Sequence, residues 1–157
     1  MQRRVSMKKT EITYTSINSE ISPSELVKAA EKAMEYAYVP YSGYKVGAAL
    51  LTKSGKLYTG CNIENASFSP TNCAERTAVF KAVSEGEREF SAIAVVGGKD
   101  GVIDGIFPPC GVCRQVLREF CDPDTFIVYL GKKNGEYETY SLEAMLPVSF
   151  SNLKMHK

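Results

Sequence analysis

The chain carries one histidine in 157 residues, and that one is His156, next to the C-terminus. A lone histidine at a chain end is a poor ligand candidate, because termini are seldom held in place. Net charge is also scarce. Nineteen Lys and Arg against eighteen Asp and Glu leave +1, which removes the broad electrostatic case for binding nucleic acid or an acidic membrane surface. No apolar run approaches the roughly 18 residues a membrane span needs. The basic start MQRRVSMKK has no apolar stretch behind it, so it does not read as a secretory signal. A cytoplasmic protein is expected. In a reducing compartment cysteines serve as metal ligands or catalysts more often than as disulfides. The five cysteines here are also an odd number.

The length suits one domain with a sizeable core. There is no repeat, low-complexity tract or dividing linker. Residues 1–20 are expected as an N-terminal extension, a solvated tail, and 21–157 as the domain. Within it, Ser22, Pro23 and Glu25 form a capping box with proline at the first helical position. Leu26, Ala30, Ala33 and Ala37 then recur at helical spacing. YKVGAALLT and KLYTGCNIE read as a hairpin turning at Ser54-Gly55. NCAERTAVFKAVSEG reads as a helix, and FSAIAVVGG as a central strand covered on both faces. CGVCRQVLREF is a further helix. TFIVYLG and EYETYS are strands joined too tightly for anything but antiparallel pairing, and SLEAMLP is a short helix. The order predicts an α/β fold: a single-domain, three-layer α/β/α arrangement around a mixed five-stranded sheet, last two strands antiparallel.

Cys110 and Cys113 form a CxxC pair, which oxidoreductases and zinc proteins both use. At a helix start the two point to one face. Cys73 opens the preceding helix. If the helices follow neighbouring strands, their N-termini share one sheet edge and the three sulfurs meet. Three thiolates leave a fourth tetrahedral position open, the mark of a catalytic zinc. Glu75, two residues after Cys73, is placed to move a proton there. Arg76 can donate to the sulfurs and offset their charge. Plainer readings stand beside these. Asn72 could cap the helix with Glu75 as its reciprocal partner. Asn62 and Glu64, at i and i+2, could be a polar strand end. CGVC could be a redox pair, although redox motifs of this type follow the first long strand and this one comes late. A four-cysteine structural zinc would need Cys61, which sits in a strand, or Cys121, which is about two turns too far along the helix from Cys113.

Cys73-Ala74-Glu75 with Pro109-Cys110-Gly111-Val112-Cys113 resembles the C-A-E … P-C-x-x-C signature of the zinc-dependent nucleoside and base deaminases. YSGYKVGAALLT, GCNIENA, CAERTA, KAVSEG, PCGVCRQVLREF and EAMLPVSF together resemble the small, all-cysteine cytidine deaminases, from about Val39 to Phe150. The resemblance implies one Zn2+ per chain on Cys73, Cys110 and Cys113. It implies hydrolytic deamination of cytidine and deoxycytidine in pyrimidine salvage, by zinc-activated hydroxide attack at C4 with Glu75 as proton shuttle. Asn62 and Glu64 would hold the ribose hydroxyls, Ala74 the pyrimidine through its backbone, and Tyr44 the base and sugar. Ala66, Phe68 and Phe150 fall where the family shares residues between subunits, which implies a homotetramer.

Three departures stand out: Tyr44 where the family usually has Phe, Phe68 where Tyr is common, and Pro-Pro closing a glycine-rich 98–109 loop. The rivals are a deaminase of a nucleoside antibiotic of the blasticidin type, a polynucleotide deaminase, and a zinc-stabilised binding module. The Asn62-x-Glu64 block argues for an ordinary ribose. The short connection between the last two strands and the neutral charge argue against a polynucleotide substrate.

Overall fold

The structure is a computed structural model that describes residues 21–152. The expected extension, residues 1–20, and His156 lie outside the described residues. Ser22 caps α1 (Pro23–Met34) as its sequence requires: its hydroxyl accepts from the Glu25 N–H at 3.3 Å, and the Glu25 carboxylate accepts from the Ser22 N–H at 2.7 Å. Then follow β1 (Tyr44–Thr52), β2 (Leu57–Cys61), α2 (Ala74–Ser84), β3 (Phe90–Lys99), α3 (Gly111–Phe120), β4 (Ile127–Gly131), β5 (Tyr137–Ser141) and α4 (Leu142–Met145).

The five strands form one mixed sheet in the order β2-β1-β3-β4-β5. Only β3 and β4 pair in parallel, and β4 and β5 are antiparallel as expected. The strands sort their side chains by the two-residue period. In β3, Ile93 and Val95 face α2, α3 and α4, while Ala92, Ala94 and Val96 face α1. β1 does the same, with Ala48 and Leu50 on one face and Ala49 and Leu51 on the other. Both faces are therefore apolar, and β3 is the central strand the sequence predicts. Leu26, Val27 and Ala30 lock α1 to its face with almost no exposure. Each fully buried leucine or valine contributes about 1.5–3 kcal/mol. Among the described residues no helix is long and apolar enough to cross a membrane.

The second predicted strand is shorter than expected. It ends at Cys61, and Ile63 forms only single bridges, to Tyr38 and Asn72. Asn62 and Glu64 therefore lie just beyond the strand, where their side chains are free to turn toward the start of β1.

Candidate metal centre and substrate pocket

Two helix starts deliver the three sulfurs. Cys73 is the N-cap of α2, Cys110 is the N-cap of α3, and Cys113 sits in the first turn of α3. The strands that precede these helices, β2 and β3, are not neighbours; β1 lies between them. This corrects the expectation of adjacent strands. The sulfurs converge all the same, because β1 is antiparallel to both and β2 and β3 therefore run the same way. Gly60 lets α2 approach: a Cβ there would stand 2.4 Å from the Ala74 carbonyl oxygen and 2.6 Å from the Ala78 nitrogen. The first turn of α2 thus rests on the strand backbone, where only glycine fits.

The Sγ atoms of Cys73, Cys110 and Cys113 all lie within 4.8 Å of one another. Cys73 and Cys110 are 3.9 Å apart, and Cys110 and Cys113 are 3.5 Å apart. A tetrahedral zinc with Zn–S near 2.3 Å separates its sulfurs by about 3.8 Å, so the spacing fits. Charge points the same way. Hydrogen bonding from Cys113, with further help from Arg76, lowers the Cys73 thiol to about 5. Its partner Cys113 is pushed up by that same pairing and by burial. One thiolate forms readily, and further ones at this distance call for a cation. Arg76 meets part of that need, donating from a guanidinium nitrogen to Cys73 Sγ at 3.3 Å. The cluster is buried on the Cys113 side and exposed at Cys110, an arrangement open to a substrate.

Glu75 is the second residue of α2 and only 4 % exposed. Asn72 does not cap the helix; it donates to the Thr77 hydroxyl at 3.2 Å, and Glu75 stands one position too early to complete a capping box. The carboxyl instead stands close enough to the sulfurs for Cys73 and Cys113 to act on it, and burial, the largest effect, pushes it up to about 7. Ala74, fully buried, sits between Cys73 and Glu75.

Asn62 and Glu64 both turn toward the segment that leads into β1. The Asn62 side chain accepts from the Val46 N–H and donates to the Tyr44 carbonyl, both at 2.8 Å. The Glu64 carboxylate accepts from the backbone N–H groups of Tyr41 (3.0 Å) and Ser42 (3.2 Å) and from the Ser42 hydroxyl. The Ser42 hydroxyl above all holds the Glu64 carboxyl below its usual range. A cavity of about 400 Å³ opens here, lined by Tyr41, Ser42, Glu64, Phe68 and Thr71. Phe68 meets Tyr41 edge-on at 6.3 Å. Tyr44, 47 % exposed, packs against Phe107 at 6.1 Å. Ala66 and Phe150 are exposed and outside the cavity lining, and the Phe150 carbonyl accepts from Gln115. Sequence reasoning missed Ser42, which grips Glu64. Its stretch, PYSGY, carries proline and glycine and signals only a turn.

These features define a single-domain α/β protein with a three-thiol metal centre on paired helix starts and a buried carboxylate beside it. Residues 21–129 match the family model described as the cytidine and deoxycytidylate deaminase zinc-binding region, and the chain belongs to that family. A protein named cytidine deaminase from Sporosarcina psychrophila is 51 % identical over 127 residues, covering 81 % of this chain and 90 % of that one. Another of the same name from Halalkalibacterium halodurans is 52 % identical over 126 residues, covering 80 % and 92 %. The 1.6 Å crystal structure of cytidine deaminase from Burkholderia pseudomallei matches this fold with a TM-score of 0.76 at 48 % identity, over 83 % of this chain and all of that one. Zinc is the metal of this family, and Cys73, Cys110 and Cys113 are positioned to hold it.

Proposed function

We propose that the protein is a hydrolytic deaminase that converts cytidine and deoxycytidine to uridine and deoxyuridine, releasing ammonia, in pyrimidine salvage. The observation that carries this reading is the buried Glu75 carboxylate close to a three-sulfur centre. Names borne by relatives about half identical over most of both chains support it. When bound, zinc supplies a Lewis acid that lowers the pKa of water at the site. The chain's own residues do the rest. Cys73, Cys110 and Cys113 hold the metal, with Arg76 offsetting their charge. Glu75 takes a proton from water and passes it to N3 of the pyrimidine as the water oxygen bonds to C4; it then takes the proton left on that oxygen and gives it to the amino group, which leaves as ammonia as the C4–N bond breaks and the C4 carbonyl forms. The Ala74 backbone holds the base. Tyr44 borders base and sugar, and Asn62 and Glu64 bind ribose hydroxyls, contacts that a free base cannot make.

Ala66, Phe68 and Phe150 complete the site across subunits of a homotetramer; their exposure on the single chain supports this. The five cysteines are all free, in keeping with a cytoplasmic location. The family model begins at residue 21, in keeping with a catalytic domain that starts there.

The test follows the ultraviolet change of cytidine, deoxycytidine, cytosine and blasticidin S with zinc-loaded protein. Turnover of both nucleosides with little loss of cytosine is expected. Glu75→Gln should cut turnover about 10²–10⁴-fold while zinc stays at one per chain. Inert nucleosides at full zinc loading would overturn the proposal, and blasticidin S turnover alone would reassign the substrate. Unchanged turnover in Glu75→Gln would remove the proton role.

A further inference from the structure

Glu64 is held by the Tyr41–Ser42 turn, so the position of its carboxylate depends on what holds that turn. Two groups at the end of β3 do. The Asp100 N–H donates to the Gly43 carbonyl at 2.8 Å, and the Lys99 ammonium donates to the Ser42 carbonyl at 2.6 Å. Lys99 reaches Ser42 by crossing directly over Gly43. A Cβ at Gly43 would come within 2.6 Å of Lys99 Nζ and push the lysine end aside, and the φ of +69° there favours glycine. The same ammonium lies 5.2 Å from the centre of the Tyr44 ring, within cation–π range. Lys99 pairs with Tyr44 at the end of the β1–β3 ladder, so its backbone is held by the sheet. Its charge also acts on Glu64, favouring the carboxylate.

One side chain therefore touches both arms of the sugar pocket: Glu64 through Ser42, and Tyr44 directly. We propose that Lys99 is a positioning residue for nucleoside binding, one that ties the end of the central strand β3 to the Ser42–Glu64 pair and to the Tyr44 ring. It acts on how tightly the sugar is held and not on the chemistry at Glu75, which belongs to another helix. The proposal rests on the reading of Glu64 as a ribose-binding group.

The experiment is steady-state kinetics of the zinc-loaded full chain with cytidine and deoxycytidine. It compares wild type with Lys99→Met, Lys99→Arg, Glu64→Gln and the Lys99→Met/Glu64→Gln double variant. Methionine keeps an apolar stem and removes the ammonium. Lys99→Met is expected to raise KM about three- to tenfold, less than the charged hydrogen bond and the cation–π contact are worth in full, because Lys99 reaches the sugar only through Ser42 and Tyr44, with kcat within about twofold. Lys99→Arg should restore much of the KM, because it restores the charge and the donors. The double variant should fall short of the sum of the two single effects, because part of the Lys99 effect passes through the Glu64 carboxylate while the part through Tyr44 remains. An unchanged KM in Lys99→Met alongside a raised KM in Glu64→Gln overturns the Lys99 assignment alone. So does a loss in Lys99→Met that falls on kcat, is not rescued by arginine, or adds fully to the Glu64 effect. An unchanged KM in Glu64→Gln overturns the sugar reading of Glu64, and this proposal with it.

Discussion

Arg76 is placed to act on the sulfur cluster without entering it. Three thiolates on a divalent ion make a net negative centre, which is a weaker Lewis acid than a neutral one. Arg76 follows Glu75 on the first turn of α2 and faces the sulfurs from the protein side, donating to Cys73 at 3.3 Å. The direction of the Cys73 shift shows the effect: hydrogen bonds from Cys113 and from Arg76 favour the thiolate there. Groups of this kind usually govern metal affinity by about 10–100-fold. Arg76→Gln should therefore bind zinc about 10–100-fold more weakly, measured by competition with a chromophoric chelator, while the fold is retained by circular dichroism. Equal affinity in the two proteins would mean that the guanidinium does not stabilise the thiolates.

At the scale of elements, the site depends on how α2 and α3 sit on the sheet. Gly60 is the tightest point on the α2 side. A methyl group there meets two backbone atoms of α2, the Ala74 oxygen and the Ala78 nitrogen, and neither can rotate away. Gly60→Ala should push the helix start off β2. The expected cost is about 1–3 kcal/mol of stability, as for other overpacked sites, read from the denaturant midpoint. Zinc affinity should fall as well, because Cys73 moves with the helix; an unaltered midpoint and zinc affinity would show that the strand yields instead. The helices themselves were legible in the sequence, except that α1 ends at Met34 and leaves outside it the Ala37 that helical spacing had assigned to it. The capping box at Ser22 and the three-residue spacing of Cys110 and Cys113 are local signals, and local signals survive folding. The meeting of Cys73 with that pair was legible only in outcome. It was argued from adjacent strands, yet the insertion of β1 between β2 and β3 is a long-range pairing that no short stretch encodes. The Ser42 and Lys99 contacts around Glu64 were not legible at all. Lys99 is 57 residues from Ser42 in the chain, and neither residue has a pattern that marks it.

For the whole molecule, the question is what covers the site. Scattered exposed apolar residues are ordinary, but a group at a functional site is not. Phe68, 73 % exposed, lines the cavity beside Glu64. Val112, 58 % exposed, lies between two of the sulfur-bearing residues. Phe150, 61 % exposed, is tied through its carbonyl to Gln115, two residues beyond Cys113. Phe68 borders the cavity, Val112 and Phe150 lie at or against the helix that carries two of the sulfurs, and all three remain open to solvent on the single chain. The proposed assembly accounts for this, since a second subunit laid over the face would bury them and enclose the base. The protein should then sediment as a tetramer. Phe150→Asp should shift it toward smaller species and lower kcat/KM in step with the loss of assembly, because burying an unpaired carboxylate in that contact costs several kcal/mol of lost hydration. The decisive comparison is activity per chain on dilution. A fall that tracks dissociation supports a site completed by a neighbour. Constant activity in a protein that sediments as a monomer would mean that each chain's pocket works alone, and that Phe68 and Phe150 serve another purpose.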